Sequence, residues 1–362
     1  MFNWISQIIS VTKFNIKTLP QRIGSSAAAV FGIAGVVAVM VAVLSIAQGI
    51  MRTMENSAAE DYVIVLRSGA NTEMMSGLGG DDVDIIAEAP GLASGESGIL
   101  ASPELFVVIN LPMRNTGTDA NVPMRGVKQA ATEVRESFKI VEGRMFEWGL
   151  NEVIVGTGAL RSFSGLEVGS TIEVAREQWP VVGIFEAGGG LAETEIWVDA
   201  AVLQPAYRRG NSYQAVYGKL ESNGSFQAFK DALTADPRLN VKPMREQEYY
   251  ATQSTTVTNL INGLGSIIAV IMGLGAIFGA LNTMYSAVSE RSREIAVLRA
   301  IGFGGGAIVL SFVLESLLIA LVGGVVGCLA ILPVNGLTTG TINWQTFSHL
   351  AFAFRITPDL LM

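Results

Sequence analysis

The chain has 362 residues, half of them apolar, with a formal net charge of −8, one cysteine and one histidine. Its mean hydropathy of +0.43 is high for a soluble domain of this size. A single cysteine excludes an intrachain disulfide, and a lone histidine offers neither a metal cluster nor a catalytic dyad. The charge is uneven. Residues 1–26 hold Lys13, Lys17, Arg22 and no acid, whereas residues 48–256 hold 17 basic and 28 acidic residues, a balance of −11. That acidity argues against nucleic acid as a partner.

Residues 1–26 form a basic lead-in. Phe2, Trp4, Ile5, Ile8, Ile9 and Val11 precede Phe14, Ile16 and Leu19, with the basic residues interleaved. This pattern fits a helix lying on a membrane surface, or a plain basic flank of the helix that follows. Residues 27–47 carry no charge. At about 1.5 Å per residue, this run matches a hydrocarbon core of about 30 Å. We therefore expect a first transmembrane helix over 27–49, its basic end in the cytoplasm. A cleaved signal peptide is the alternative, but the apolar run exceeds the usual 7–15 residues.

Residues 50–256 are expected to form one large α+β region outside the cytoplasm. Strand-like runs lie at 62–66, 106–110, 152–155, 171–175, 180–185 and 196–198, and helix-like runs at 82–89 and 225–235. Ser225 is the expected N-cap of the second helix. Gly188-Gly189-Gly190, Asn223-Gly224 and Asp236-Pro237 mark turns.

The run 249–289 again contains no charged residue. Its polar start suggests a water-exposed stalk leading into a second span over 257–288, and 51–59 is the matching stalk after the first span. Ser289-Glu290-Arg291-Ser292-Arg293-Glu294 then opens a charged turn over 289–305. The third span is expected over 306–332, with Glu315 its only charge. Pro333-Val334-Asn335-Gly336 begins an outer segment, 333–362. A charged turn between two such apolar runs places the chain back in water.

The order Ser289-Glu290-Arg291, Arg293-Glu294-Ile295, Leu298-Arg299-Ala300 and Gly302, followed by Phe312-Val313-Leu314-Glu315 and a Gly-rich helix end, resembles the FtsX-like permeases of ABC transporters. Glu142-Gly143-Arg144, 152–156 and 195–199 resemble the MacB-type extracytoplasmic domain of that family. The resemblance implies a multi-pass α-helical membrane protein with a large α+β extracytoplasmic (MacB-type) domain between the first two spans, in the cell inner membrane. It implies a fourth span and a cytoplasmic tail, which are expected beyond residue 362.

The resemblance further implies a permease dimer, homo- or heteromeric, bound to an ABC ATPase subunit, with a periplasmic adaptor as a further partner of the class. Its cargo would be amphiphilic: a lipid, lipoprotein, peptide or drug. Helix 289–302 would be the coupling helix, with Glu290, Arg291, Arg293, Glu294, Leu298 and Arg299 facing the ATPase. A generic solvated turn is the structural alternative. The family's basic residues after this helix are missing at 303–306. Glu315 is read as a hydrogen-bonding group toward a neighbouring helix, or as a participant in moving protons or substrate. Small residues four apart, Gly265, Ala269 and Gly273, Gly275 and Gly279, Gly323 and Gly327, permit close helix packing in lipid.

Enzymatic signatures are missing from the 362 residues. There is no G-x-x-x-x-G-K-[ST], H-E-x-x-H or G-x-S-x-G. Gly302-Phe303-Gly304-Gly305-Gly306-Ala307 has nucleotide-loop spacing but follows a helix instead of a strand. ATP binding is expected on the partner, with no cofactor on this chain. A regulator of a cell-wall hydrolase keeps the fold and changes the function, and an extracytoplasmic ligand sensor is a further alternative.

Overall fold

In the computed structural model, residues 2–18, 23–55, 61–342 and 349–361 are described. Arg22 and the stalk residues 56–59 lie outside them, as do the side chains of Glu290 and Ala269. The chain divides into a helical unit, Met1–Gln48, Asn259–Leu337 and Phe354–Met362, and a sheet unit, Gly49–Thr258 and Thr338–Ala353.

The helical unit contains α1 (Phe2–Thr18) and the greater part of α2 (Ile23–Glu55). The sheet unit holds α3 (Gly80–Ala87), α4 (Ala130–Val134), α5 (Thr157–Ser162), α6 (Ala200–Ala206) and α7 (Phe226–Ala235). Then come α8 (Glu246–Glu290), α9 (Ser292–Ala300), α10 (Gly305–Ile331) and the short α11 (Pro358–Leu361). Among the described residues, Ser26–Thr53 and Gly305–Val334 are long and apolar enough to cross a membrane. The second expected span lies within α8, where Gly263–Gly279 is a shorter apolar stretch.

In the helical unit, Gly323 and Gly327 set how closely α10 approaches α2. A Cβ at Gly327 would sit 2.6 Å from the Ala34 carbonyl oxygen, and one at Gly323 would sit 2.9 Å from Ile33 Cβ. On α8, an added Cβ at Gly265 would reach only Val43, at 3.8 Å. At Gly273, Gly275 and Gly279 it would meet nothing within 4 Å. The two glycine pairs therefore differ: one is already filled by a neighbouring helix, while the α8 positions leave space beside them. Ile8, Val11 and Asn15 form the buried face of α1, while Trp4, Ile5, Ile9 and Ile16 are exposed. Asn15 Nδ2 donates to Ser311 Oγ at 3.4 Å, and the Gly304 amide donates to Gln7 Oε1 at 3.2 Å. This lead-in helix thus packs along the start of α10.

The sheet unit is built on a ten-stranded sheet. Its strands are β1 (Tyr62–Arg67), β2 (Ala101–Pro112), β3 (Asp119–Val127), β4 (Phe138–Gly143) and β5 (Val153–Gly156). They continue with β6 (Thr171–Val174), β7 (Glu177–Ala187), β8 (Ile196–Asp199), β9 (Ala215–Lys219) and β10 (Val241–Arg245). The order is β10-β1-β9-β2-β3-β8-β5-β7-β4, with β6 paired to β7. The β3–β8 and β5–β7 pairs are parallel and the others antiparallel.

Several of these strands lack the alternation by which a sequence announces a strand. β3 contains Pro123, yet β8 pairs only with Met124–Val127, so the proline occupies the half of β3 that has a single neighbour. Pro243 is tolerated in β10 because that strand forms the edge of the sheet. Ser225 precedes α7 as expected, but its φ and ψ of −74° and −13° are already helical and its side chain makes no cap bond. Its hydroxyl meets that of Ser222 instead, at 3.0 Å.

Strand period decides what each face of the sheet buries. Leu105, Val107, Ile109 and Leu111 of β2 join Val122 and Met124 of β3 and Ile196 and Val198 of β8 in one apolar core. The intervening positions face the other way, and there the buried residues include Glu104, Phe106, Arg125 and Trp197. Val63, Val65, Val83, Ile86, Phe229 and Leu233 form a separate apolar cluster beneath α3 and α7.

Candidate functional site

Two constellations carry charge in unusual places, one in each unit. In the helical unit, the chain between α8 and α9 breaks at Arg291, whose φ and ψ are −96° and 10°. Its carbonyl still accepts the Ile295 amide at 2.9 Å, so α9 begins at once. The Arg291 side chain is 3% exposed. Its two terminal nitrogens donate to the two Glu315 oxygens at 2.9 and 3.1 Å, and the guanidinium lies 5.1 Å from the centre of the Phe312 ring. The planar fork of arginine matches a carboxylate in this bidentate form. Glu315 is thereby supplied with a counter-charge where an isolated one would be costly.

The rest of α9 presents a different surface. Arg293, Glu294 and Arg299 are exposed, while Ile295 and Leu298 are half-buried. Val297 and Ile301, one turn apart, are 57% and 69% exposed. Gly302 ends the helix with φ of +101°, a left-handed conformation suited to glycine. The helix therefore shows water an apolar pair flanked by charges of both signs, while Arg291 points inward. Of the residues singled out on sequence grounds, Arg293, Glu294 and Arg299 are each exposed. Leu298 is half-buried, and Arg291 joins Glu315 instead. The Glu290 side chain lies outside the described ones.

The second constellation lies inside the sheet unit, and spacing in the sequence does not disclose it. Arg125 in β3 is flanked across the sheet by Phe106 of β2 and Trp197 of β8. It uses all five of its N–H donors. Nε and Nη2 bind Glu195 at 2.7 Å each, Nη1 and Nη2 bind Glu73 at 2.7 and 3.1 Å, and Nη1 binds Glu104 at 2.9 Å. Arg135 grips Glu104 from the other side at 2.7 and 2.9 Å. Trp197 Nε1 donates to Glu195 at 2.9 Å. The arginines stack within about 5 Å of Tyr217, at 5.3 and 4.7 Å.

The first turn of α8 reaches this cluster. The Glu73 amide donates to Tyr249 Oη at 3.3 Å, and Glu246 and Tyr250 are buried beside the arginines. Burial alone would raise the Glu104 carboxyl, but the guanidiniums of Arg135 and Arg125 outweigh it and hold it below the usual range. Glu246 has the opposite balance: burial pushes it up to about 8, against a weaker pull from Arg135. The one available signal in the sequence was a lone arginine in the apolar stretch Val122-Pro123-Met124-Arg125-Gly126-Val127. Among the described residues, no group of histidine, cysteine and acidic side chains could hold a metal ion.

Residues 26–236 match the family of the MacB-like periplasmic core domain, and residues 266–361 match the FtsX-like permease C-terminal family. The chain belongs to the FtsX-like, MacB-type permeases, membrane proteins that carry an extracytoplasmic α+β domain. It is similar to a protein named macrolide export ATP-binding/permease protein MacB from Chlorobium luteolum. Identity there is 27% over 210 residues, which is 53% of this chain and 31% of the relative. A protein of the same name from Pasteurella multocida is 24% identical over 340 residues, 82% of this chain and 51% of the relative. The chain thus spans about a third to a half of the length of these relatives. The crystal structure of the periplasmic region of MacB from Actinobacillus actinomycetemcomitans aligns with 56% of this chain and 96% of its own, at 11% identity and a TM-score of 0.40.

Proposed function

We propose that this chain is the permease part of an ABC transporter, and that α9 is the surface through which an ATPase subunit acts on it. The exposed Val297–Ile301 pair, with Arg293 and Glu294 on the same side of the helix, carries this reading. A nine-residue helix has no core of its own, so an apolar pair left in water gains by docking into a groove. The charges would fix the register of that docking. Arg291, being buried, would act by setting the angle of α9 rather than by touching the partner.

In this reading the chain crosses the membrane several times with α1 and α9 on the cytoplasmic side and the sheet unit outside. ATP-driven closure of the partner pushes α9, and α8 carries the motion toward the sheet unit, where an amphiphilic cargo is handled. The partner supplies ATP binding, since the 362 residues contain no P-loop. A second permease would pack along α8, where Gly273, Gly275 and Gly279 leave room for close approach.

The test is co-purification of the full-length permease with its ATPase, comparing wild type with the double reversal Arg293→Glu, Glu294→Arg. Net charge is kept, but each charge faces the wrong partner group. A normally inserted permease with weakened ATPase binding, or with hydrolysis unlinked from transport, is expected. Wild-type binding and transport by the double reversal would remove the assignment of α9.

A further inference from the structure

The root of α8 enters the charged interior of the sheet unit by way of Glu246. That residue is 4% exposed and borders a cavity of about 40 Å³ lined by Tyr62, Arg125, Arg135, Glu195 and Tyr250. The cluster has two guanidiniums. Arg125 has spent every N–H on Glu73, Glu104 and Glu195, and Arg135 holds Glu104 in a bidentate grip. Among the described residues no ion pair reaches Glu246, which shares a hydrogen bond with Tyr250 one turn along the same helix. Three carboxyl groups, Glu73, Glu104 and Glu195, already share the two guanidiniums, so Glu246 is a fourth acid against two cations. The cavity has room for a few waters at most, too few to hydrate a carboxylate fully.

We propose that Glu246 is a protonation-controlled latch: as the neutral acid it seats the first turn of α8 in the cluster, and on ionisation it releases that turn. The proposal concerns the sheet unit alone and holds whether or not an ATPase acts at α9.

The neighbouring groups do not share this role. Tyr62 and Tyr250 are raised by burial, and Arg125 and Arg135 are raised by their carboxylates against the effect of burial. Glu104 is held low by the two arginines. Glu195 is bound by Arg125 through both oxygens and receives the Trp197 indole.

Glu246 titrates from an ordinary 4.5 when released to about 8 when seated. The seated form therefore binds the extra proton between those values. Seating is strongest below 4.5 and weakens as pH rises, by up to about tenfold per unit, until it levels off near 8.

The test is hydrogen exchange of residues 247–252 in the full-length protein in lipid nanodiscs, from pH 5 to 9.5, corrected for intrinsic exchange. The wild type should lose protection with that slope and plateau, and Glu246→Gln, which cannot ionise, should show a flat profile. A flat wild type, or an unchanged slope in Glu246→Gln, overturns the latch. Tyr250→Phe provides a second measure, because the lost hydroxyl no longer favours the carboxylate. Its plateau should begin at higher pH than in the wild type, and an unchanged position overturns the proposal.

Discussion

Arg291 and Glu315, 24 residues apart, close a bidentate ion pair of 2.9 and 3.1 Å that joins the start of α9 to α10. Both side chains are almost fully enclosed, at 3% and 11% exposure. Removing one partner from such a pair leaves a buried charge uncompensated and typically costs about 3–5 kcal/mol. Arg291→Ala or Glu315→Ala should therefore loosen α9 and speed tryptic cleavage at Arg293 and Arg299. The charge-exchanged double variant Arg291→Glu, Glu315→Arg should be less damaged than either single one. Cleavage as slow as wild type in the alanine variants would show that the pair does not position α9.

The buried cluster should respond to loss of its central cation in the same sense. Arg125→Met keeps the apolar stem and removes the charge, leaving Glu73 and Glu195 without their cation. A loss of about 3–5 kcal/mol is expected in urea unfolding followed by the fluorescence of buried Trp197. Arg114→Met breaks a pair that is 44% and 56% exposed and should cost far less, because solvent screens such a pair. Equal effects of the two substitutions would argue against the cluster as a stabilising centre.

Acid stability carries the opposite sign from the latch. Glu104 is held below its ordinary value of 4.5. Its contribution is thus present above 4.5 and is lost as pH falls through the lower folded value. The sheet unit should lose stability below about pH 4.5, and Glu104→Gln should flatten that acid limb while lowering stability at neutral pH. An acid limb unchanged in Glu104→Gln, measured by urea unfolding at several pH values, would assign it to other carboxylates.

The glycines of α10 and α8 should behave differently. Gly327→Val places a branched side chain where a Cβ alone would be 2.6 Å from the Ala34 carbonyl. Overpacking of this kind costs about 1–3 kcal/mol and should lower the thermal midpoint in detergent. Gly273→Val meets no neighbour within 4 Å of its Cβ among the described residues and should leave that midpoint unchanged. Weakened association of two permeases in cross-linking would place a second copy at this face, and unaltered association would remove it.

Membrane orientation is tested by reporter fusions. A reporter after Gly210 should be active only outside the cytoplasm and one at Gly304 only inside, an expectation motivated by the basic residues before residue 27 and at 291–299. The reverse pattern would overturn the proposed topology.

The sequence determined the features whose signal is local. The apolar runs at 27–47, without a charge, and 307–332, with Glu315 as its one charge, are legible because a hydrocarbon span needs about 20 consecutive apolar residues, and a run of that kind is visible without knowing any neighbour. The strands at 62–66 and 196–198 were legible for the same reason, since their β-branched and aromatic composition is a property of the segment itself. The motif around Arg293 and Arg299 pointed to the permease family before any geometry was known.

Only the tertiary structure decided which charges face water. Arg291, Arg293 and Arg299 look alike in a charged helix, yet the first is turned inward by Glu315, whose position is set by the packing of α10. Arg125, Glu104, Glu195 and Glu73 lie 21 to 70 residues from one another in their bonded pairs. On sequence grounds they counted only toward the net acidity of residues 48–256. The period of the strands and the order of the sheet bring them onto one buried face. Such a cluster depends on pairings between distant segments, which no window along the chain contains. The same holds for Glu246: its charge is ordinary in sequence and becomes unusual only because folding buries it beside two arginines whose ion pairs go to other carboxylates.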